Sequence, residues 1–435
     1  MSARRVLLLI PTTTYRAEPF VEAARRLGVE VQVGSNRCHV LAELWPPAGS
    51  LVLRFDEPQQ AAAAIVAQAE SSPLDAILAV DDQATEIAAL AADALGLPHN
   101  SPAAARTARN KREMREALAR AGVPAPRHLV FALSEPPERA ASAVRGAFGF
   151  PCVVKPLLLT GSRGVIRIDD EAELVSAWRR LRAILSAPEL RGNPDPAASE
   201  VLVEEFVPGG EAALEGILTG GVLHVLALFD KPDPLDGPFF EETIYVTPSR
   251  LRSSVQADLA ATAQHAAAAL GLREGPVHAE LRVNPAGSWV IEVAGRSIGG
   301  LCSRALRFGL GDISLEEVIL RHALGMELDP LVRASEASGV MMIPIPRAGV
   351  MRGVEGIEAA EAVPGVTGVS ITIRAGEQVV PLPEGASYLG FIFARGNSPA
   401  QVESALREAC GRLRFDIAPS RPIAPPPAAL KTQET

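Results

Sequence analysis

The sequence predicts a chain of α/β and α+β units. An open parallel-sheet domain comes first, an α+β middle follows, and a sheet-rich part closes the chain. Three observations carry this. The first hundred residues alternate short apolar strands with amphipathic helices, the pattern of a parallel sheet covered on both faces. Beyond residue 205, hairpin turns replace that alternation, at Thr219-Gly220-Gly221 and Asn284-Pro285-Ala286-Gly287. The chain has 435 residues, which at roughly 150 residues per domain suggests about three domains.

Hydrophobic residues make up 48% of the chain and charged residues 21%, enough apolar material for large cores. The net charge of −9 lacks the cation excess that nucleic-acid binding needs, so no nucleic-acid partner is expected. Cys38, Cys152, Cys302 and Cys410 form no C-x-x-C pair. Each reads as a small core residue in a reducing compartment, the cytoplasm. The N-terminal apolar run stops at Pro11 after Val6–Ile10, too short for a signal peptide. No stretch approaches the length of a membrane span.

In order, Val6–Ile10 is a buried strand. Residues 17–27 place Phe20, Ala24 and Leu27 on one helical face, stopped by Gly28. "VEVQV" and "LDAILAVDD" are strands, and "ATEIAALAADALGLP" is a helix closed by Gly96 and Pro98. Asp81 and Asp82 end a strand where such sheets bind ligands, although a strand-to-helix cap explains them at least as well. These residues, 1–100, form the first domain. Ser101 caps a turn with Pro102 behind it, and Asn110 with Glu113 resembles a capping box. Lys111 and Arg112 then fall at the positive end of a helix dipole, a cost of about 0.3–1 kcal/mol each. A phosphate nearby would offset it, as would plain solvation.

From 126 to 205 the chain reads strand "HLVFAL", helix 137–147, strands "CVVKP" and "GVIRI", helix "EAELVSAWRRLRAIL", a polar loop and strand "EVLVEEFVPGGE". Two hairpins follow, with helix "VQADLAATAQHAAAALGL" between them and "SLEEVILRHALGM" behind. Residues 335–417 hold strands "GVMMIPIP", "VTGVSITI" and "YLGFIFARG" and a helix at 399–412. The Pro-rich tail, 418–435, is expected to be disordered.

The sharpest chemical signal is the second hairpin. His278, Glu280 and Arg282 alternate on one strand and so share a face. The hairpin register brings Glu292 opposite Glu280. Two adjacent carboxylates repel unless a divalent cation sits between them, and hard oxygen ligands suit Mg²⁺. Arg296 beside them suits a bidentate phosphate or carboxylate. An exposed face with scattered charges is the plain alternative. In "GFPCVVKPLLLTGSRGV" a strand delivers Lys155 before a glycine turn. That is the reverse of a P-loop, in which glycines precede the lysine.

The ordered set Lys111, Lys155, Gly161–Gly164, Glu204-Glu205, Glu211, Glu280, Glu292 and Arg296 resembles the ATP-grasp superfamily over about residues 1–330. The resemblance implies a two-lobed core, residues 101–330, that clamps ATP against a lid subdomain at about 126–205. It implies that Lys111 and Lys155 contact phosphates and that Gly161, Ser162 and Gly164 form a lid. Glu204, Glu205, Phe206 and Val207 become the adenine hinge and Glu211 the ribose contact. Glu280 and Glu292 hold one or two Mg²⁺ ions, with Mn²⁺ an accepted substitute. Arg296, with Lys155, steadies the transferring phosphoryl group.

Within that superfamily, "IEVAGRSIGG", "FDKPDPLDGPFFEETIYVTPSRL", "EAVPGVTGVSI" and "GASYLGFIFARG" resemble the L-amino acid ligases, with 335–417 as their C-terminal domain. Ala294 stands where many members carry a metal-binding Asn, which suggests a metal held more loosely or through water. The resemblance implies a carboxylate–amine ligase working through an acyl phosphate, with small-molecule amino-acid substrates and a homodimer permitted. Gly299 and Gly300 become oxyanion donors, and Glu242 or His278 holds the amine or takes its proton. Arg304 and Arg307 read as solvated arginines of an amphipathic helix, or as receivers of a substrate carboxylate. Two rival readings remain. One is a biotin carboxylase or carbamoyl phosphate type, which the missing Gln-Val-Glu-His run disfavours. The other is a catalytically silent nucleotide sensor.

Overall fold

The structure, a computed structural model, describes residues 4–12, 14, 16–36, 50–309, 311–328 and 332–419. Cys38 and the tail from residue 420 lie outside the described residues.

Arg5–Leu9 sits inside a four-stranded parallel sheet, between Glu30–Ser35 and Ala76–Ala79, with Ser50–Val52 at one edge. Its side chains divide by parity. Leu7 and Leu9 pack with Ile65 and Ile87 of the helices Pro58–Ser71 and Asp82–Leu95. Val6 and Leu8 face the other way, into a cluster with Phe20, Ile298, Leu306 and Phe308. The first sheet therefore shares a core with the middle of the chain, because every residue of its central strand beyond Arg5 is apolar.

Ser101 accepts a hydrogen bond from Ala104 N (3.2 Å) and so caps the helix Pro102–Arg109. Asn110 Oδ1 caps the helix Lys111–Arg120, accepting from Arg112 N (3.0 Å) and Glu113 N (3.4 Å). The reciprocal half of the expected capping box is not formed. Asn110 N already donates to Arg106 O (2.9 Å), so Glu113 receives the Asn110 side-chain amide instead (3.4 Å).

The next unit is an antiparallel sheet ordered His128–Ala132, Glu200–Glu205, Cys152–Pro156, Ile166–Ile168. The helices Pro137–Ala147 and Glu171–Leu185 cover it, with Trp178 fully buried and its indole N–H on Leu133 O (3.1 Å).

An eight-stranded antiparallel sheet forms the rest of the frame. It runs Gly287–Ala294, Gly275–Asn284, Gly210–Thr219, Val222–Asp230, Ile244–Thr247, Ala337–Ile343, Gly390–Gly396, Val366–Ile371. The strand Ile244–Thr247, hidden in the sequence by the prolines and acids around it, is the seam. It joins the two hairpins to the strands of the C-terminal part. The sequence also concealed the strands Gly349–Glu355 and Arg414–Ala418, which form a small three-stranded sheet with Gln378–Val379. No helix among the described residues is long and apolar enough to cross a membrane.

Gly339 lies at the seam, where a Cβ would stand 2.8 Å from Tyr245 O and 2.8 Å from a Val402 methyl. Gly339→Ala is expected to cost about 1–3 kcal/mol by overpacking. Urea unfolding checks this, and an unchanged midpoint would contradict the tight seam.

Candidate functional site

Lys155 leaves its strand pointing into a cleft between the four-stranded antiparallel sheet and the large one. Its ammonium lies 2.7 Å from Glu204 Oε2, and the other Glu204 oxygen takes Arg115 Nε at 2.5 Å. Burial alone would raise the Glu204 pKa. The Arg115 guanidinium and the Lys155 ammonium overcome that and hold it down at about 2. Arg115 also donates to Ile291 O (2.5 Å), so this buried trio ties one wall of the cleft to the other. Lys111 enters from the helix start. Its ammonium donates to Leu159 O (2.8 Å) and stands 3.7 Å from Glu292 Oε2. Arg112 pairs with Glu200 (2.7 Å). Both cations at the helix start thus have protein partners.

Val207, Val153, Val165, Leu235, Phe240 and Ile291 supply an apolar stretch of the cleft. The strand end beside them is fixed firmly. Glu205 N donates to Arg127 O (2.9 Å) and Phe206 N to Pro151 O (3.2 Å). The Glu205 carboxylate is engaged by Arg127 N (2.9 Å) and Nε (2.7 Å). Its contribution to the cleft is therefore backbone. The Phe206 ring is faced by Arg167 and Arg282, at 4.5 and 5.1 Å from its centroid.

Gly161, Ser162 and Gly164 all have positive φ (62°, 55° and 75°). A Cβ at Gly164 would fall 2.6 Å from Pro156 Cγ, so only glycine fits there. The turn does not hang free. Gly164 N donates to Pro383 O (2.9 Å), Arg163 Nε donates to Glu384 O (2.8 Å), and Arg180 pairs with the Glu384 carboxylate.

Across the cleft, Glu280 and Glu292 stand directly opposite, and a bulge between Glu280 and Leu281 sets this pairing, because the unbroken register from the turn would oppose Glu280 to Ile291. A group of three acids also forms here. Oxygens of Glu211, Glu242 and Glu280 lie within 4.8 Å of one another. Lys231, absent from the sequence-derived site, puts its ammonium among them, 2.8 Å from Glu211, 3.3 Å from Glu280 and in contact with Glu242. The second Glu211 oxygen takes Arg282 Nε (3.0 Å). Burial pushes Glu280 up, but Lys231 and His278 win and hold it well below the carboxylate range. Burial and the neighbouring Glu280 push Glu242 up to about 7, against the pull of Lys231. Tyr245 also donates to Glu242 (2.6 Å).

His278 is held through Nδ1 by Glu215 (2.6 Å), and its Nε2 lies 3.4 Å from Glu280. Burial opposes its charge, yet the two carboxylates raise it to about 9. Glu215 is fully buried within an apolar strand, which is itself the sequence signal that was overlooked. Ala294 stands opposite His278 and offers no ligand atom.

Arg296 is held by the N-terminal domain. Its Nη2 and Nε meet Asp82 Oδ2 at 2.6 and 2.8 Å. Arg16 locks the same junction by donating to Val80 O (2.6 Å) and Ser297 O (3.2 Å). Gly299 and Gly300 line a cavity that shares Glu242, Glu280 and Glu292 with the cleft. Its other walls include Arg296, Ile298, Met342 and Tyr388. Gly300 has φ 59°, and a Cβ there would lie 2.9 Å from the Phe391 ring. Arg304 and Arg307 do not join this cavity, nor do they lie on an amphipathic helix. After Gly300 the chain makes only the short 3₁₀ turn Cys302–Ala305 and then extends at Leu306. Of the cysteines expected in cores, Cys152 and Cys302 are buried, and Cys410 is half-buried.

The ATP-grasp domain family matches residues 148–305, the ATP-grasp N-terminal domain residues 21–99, and the L-amino acid ligase C-terminal domain 2 residues 341–418. Carnosine synthase 1 of Gallus gallus is 31% identical over 78% of this chain and 38% of its own length. Dapdiamide A synthase of Enterobacter agglomerans is 30% identical over 54% of each chain. The chain thus matches about half or less of these two curated relatives. A crystal structure of an L-amino acid ligase from Bacillus licheniformis aligns with TM-score 0.79 and 26% identity, over 95% of this chain and 98% of that one.

Glu204→Gln leaves Lys155 and Arg115 buried without their anion, so it is expected to cost about 3–5 kcal/mol. The folded pKa of about 2 lies below the ordinary 4.5. The parent therefore keeps this contribution above pH 4.5 and loses it as the pH falls toward 2. The variant's stability profile is expected to be flatter over that window. Parallel urea-unfolding profiles would overturn the assignment.

Proposed function

The chain belongs to the ATP-grasp superfamily and carries an L-amino acid ligase C-terminal domain, and from this we propose that it is an ATP- and Mg²⁺-dependent carboxylate–amine ligase joining amino acids. One observation carries the reading: Lys111 and Lys155 enter the cleft against the Glu280–Glu292 pair, with Arg296 in the adjoining cavity. The residues fit both absent groups. Apolar side chains from Val153 to Ile291 suit an adenine, and Val207 suits its edge, since the amides of Glu205 and Phe206 are already engaged. Glu211 lines the same cleft, its two oxygens held by Lys231 and Arg282, so a ribose hydroxyl would have to share them. Glu280 and Glu292, opposite each other, with Glu242 grouped with Glu280, offer the hard oxygen donors that Mg²⁺ takes. Mg²⁺ held there would screen the phosphate charge.

The proposed reaction has two steps. A substrate carboxylate oxygen attacks the γ-phosphorus, and ADP leaves with the electrons of the broken P–O bond. The amine nitrogen of the second substrate then attacks the acyl carbon. The C–N bond forms, phosphate departs with the C–O electrons, and the nitrogen loses a proton. Lys155 and Lys111 bear on the charge of the transferring group, and Arg296, aimed by Asp82, faces the acyl phosphate. Glu242, its pKa raised to about 7, takes the amine proton. Gly299 and Gly300 place backbone beside the acyl oxygen. Ile298, Met342 and Tyr388 suit an uncharged side chain on one substrate.

The direct test is a pairwise screen of amino acids for phosphate release with ATP and Mg²⁺, followed by product masses. Dipeptide masses with ADP are expected. Turnover that depends on bicarbonate would favour the carboxylase reading, and no turnover with any pair would favour the silent sensor. Arg296→Ala is expected to lower kcat by about 10²-fold or more. Lys231→Met removes a cation that competes for three carboxylates, so nucleotide-free Mn²⁺ affinity is expected to rise while turnover falls. Unchanged Mn²⁺ affinity would remove Lys231 from the site.

A further inference from the structure

A second hollow, whose wall includes Arg304 a few residues past Gly299 and Gly300, shares no lining residue with the cleft. Arg304, Arg307 and Arg395 line it, with Asp312, Thr367 and Ser370. Acids answer these guanidiniums poorly. Arg307 Nε is 3.6 Å from Asp312 Oδ2, and Arg395 Nη1 is 4.0 Å from Asp312 Oδ1 and 3.9 Å from Glu336. All three distances exceed a hydrogen bond, and the shared Asp312 side chain is 66% exposed. The Arg395 side chain makes no hydrogen bond among the described residues, and Arg304 lies 5.2 Å from the Phe393 centroid. Arg307 is held in place by donating to Leu306 O (2.7 Å). Burial and the nearby Arg395 both weaken its hold on its proton. Hydroxyls of Thr367 and Ser370 sit on the edge strand Val366–Ile371, where a bulge interrupts the pairing after Val366.

We propose that this hollow is a second binding site, for a small multivalent oxyanion such as phosphate or a di- or tricarboxylate. Guanidiniums that share one distant carboxylate, with hydroxyl donors opposite, are matched by an anion with several oxygens. The site bears on catalysis through a short path. Arg304 belongs to the turn just after Gly300, Phe393 stacks on Phe391 with centroids 6.5 Å apart, and Phe391 lies against Gly300. An anion drawing Arg304 inward therefore acts on the wall behind the acyl-phosphate position. The binding claim does not rest on the ligase reading.

Calorimetric titration of the full chain without nucleotide, at fixed ionic strength, tests it with inorganic phosphate and with citrate. Saturable binding of either is expected, weakened at least about tenfold in Arg395→Gln and in Arg304→Gln and retained in Lys155→Met. Phosphate alone would identify the occupant with a product of the proposed reaction, and citrate alone with an external polycarboxylate. Both support the site. Equal binding in parent and both arginine variants, loss only in Lys155→Met, or no saturable binding would overturn it. Each arginine variant is first checked for an unchanged unfolding midpoint without anion.

Discussion

A cleft lined by six glutamates, and on the proposed reading open to a triphosphate, must hold its cations before the ligand arrives. That constraint organises the molecule. Lys111 comes from the helix that follows the first domain, Lys155 from the small antiparallel sheet, and Lys231 and Arg282 from the large sheet and its loop. Arg296 is oriented by Asp82, a residue of the N-terminal domain. Unpaired, any of these buried charges would cost several kcal/mol. Paired with acids, they are fixed in place. The packing of each unit against its neighbours thus serves to bring one cation to one place.

The sequence made part of this legible. Glu280 and Glu292 were visible as acids on the two strands of one tight hairpin, but the turn's own register opposes Glu280 to Ile291, and a bulge that no local pattern announced brings Glu292 across. Lys155 was visible because an apolar strand delivers it to a glycine turn. Lys231 was not, since no local period links a residue after a strand to Glu211 and Glu280. Asp82 was seen as an acid at a strand end, but its partner Arg296 is 214 residues away. Glu205 showed the reverse error. Its chemistry looked suited to a ligand, yet Arg127 claims the carboxylate. The fold followed the same rule. Strong strands and helices were readable, whereas the seam strand Ile244–Thr247 is four residues long and is defined by its neighbours.

The glycine turn gains a second meaning from its contacts. Pro383 and Glu384, in the C-terminal domain, hold Gly164 and Arg163. The same segment leads within a few residues to Tyr388, a wall of the cavity that Gly299 and Gly300 line. One stretch of chain therefore both fastens the glycine turn and shapes the neighbouring cavity. Opening the turn requires the breaking of named hydrogen bonds as well as rotation at glycines.

The seam also limits how such a protein can be divided. The strand Ala337–Ile343 zips onto Ile244–Thr247 through four register pairs, so the C-terminal part of the chain is woven into the sheet that bears the glutamates. Cutting the chain between them would strip a partner from Ile244–Thr247 and leave raw amide and carbonyl groups along an apolar border, a template for clumping. Swapping this region between relatives to change what they join would therefore mean regrafting a sheet edge rather than exchanging a detachable module.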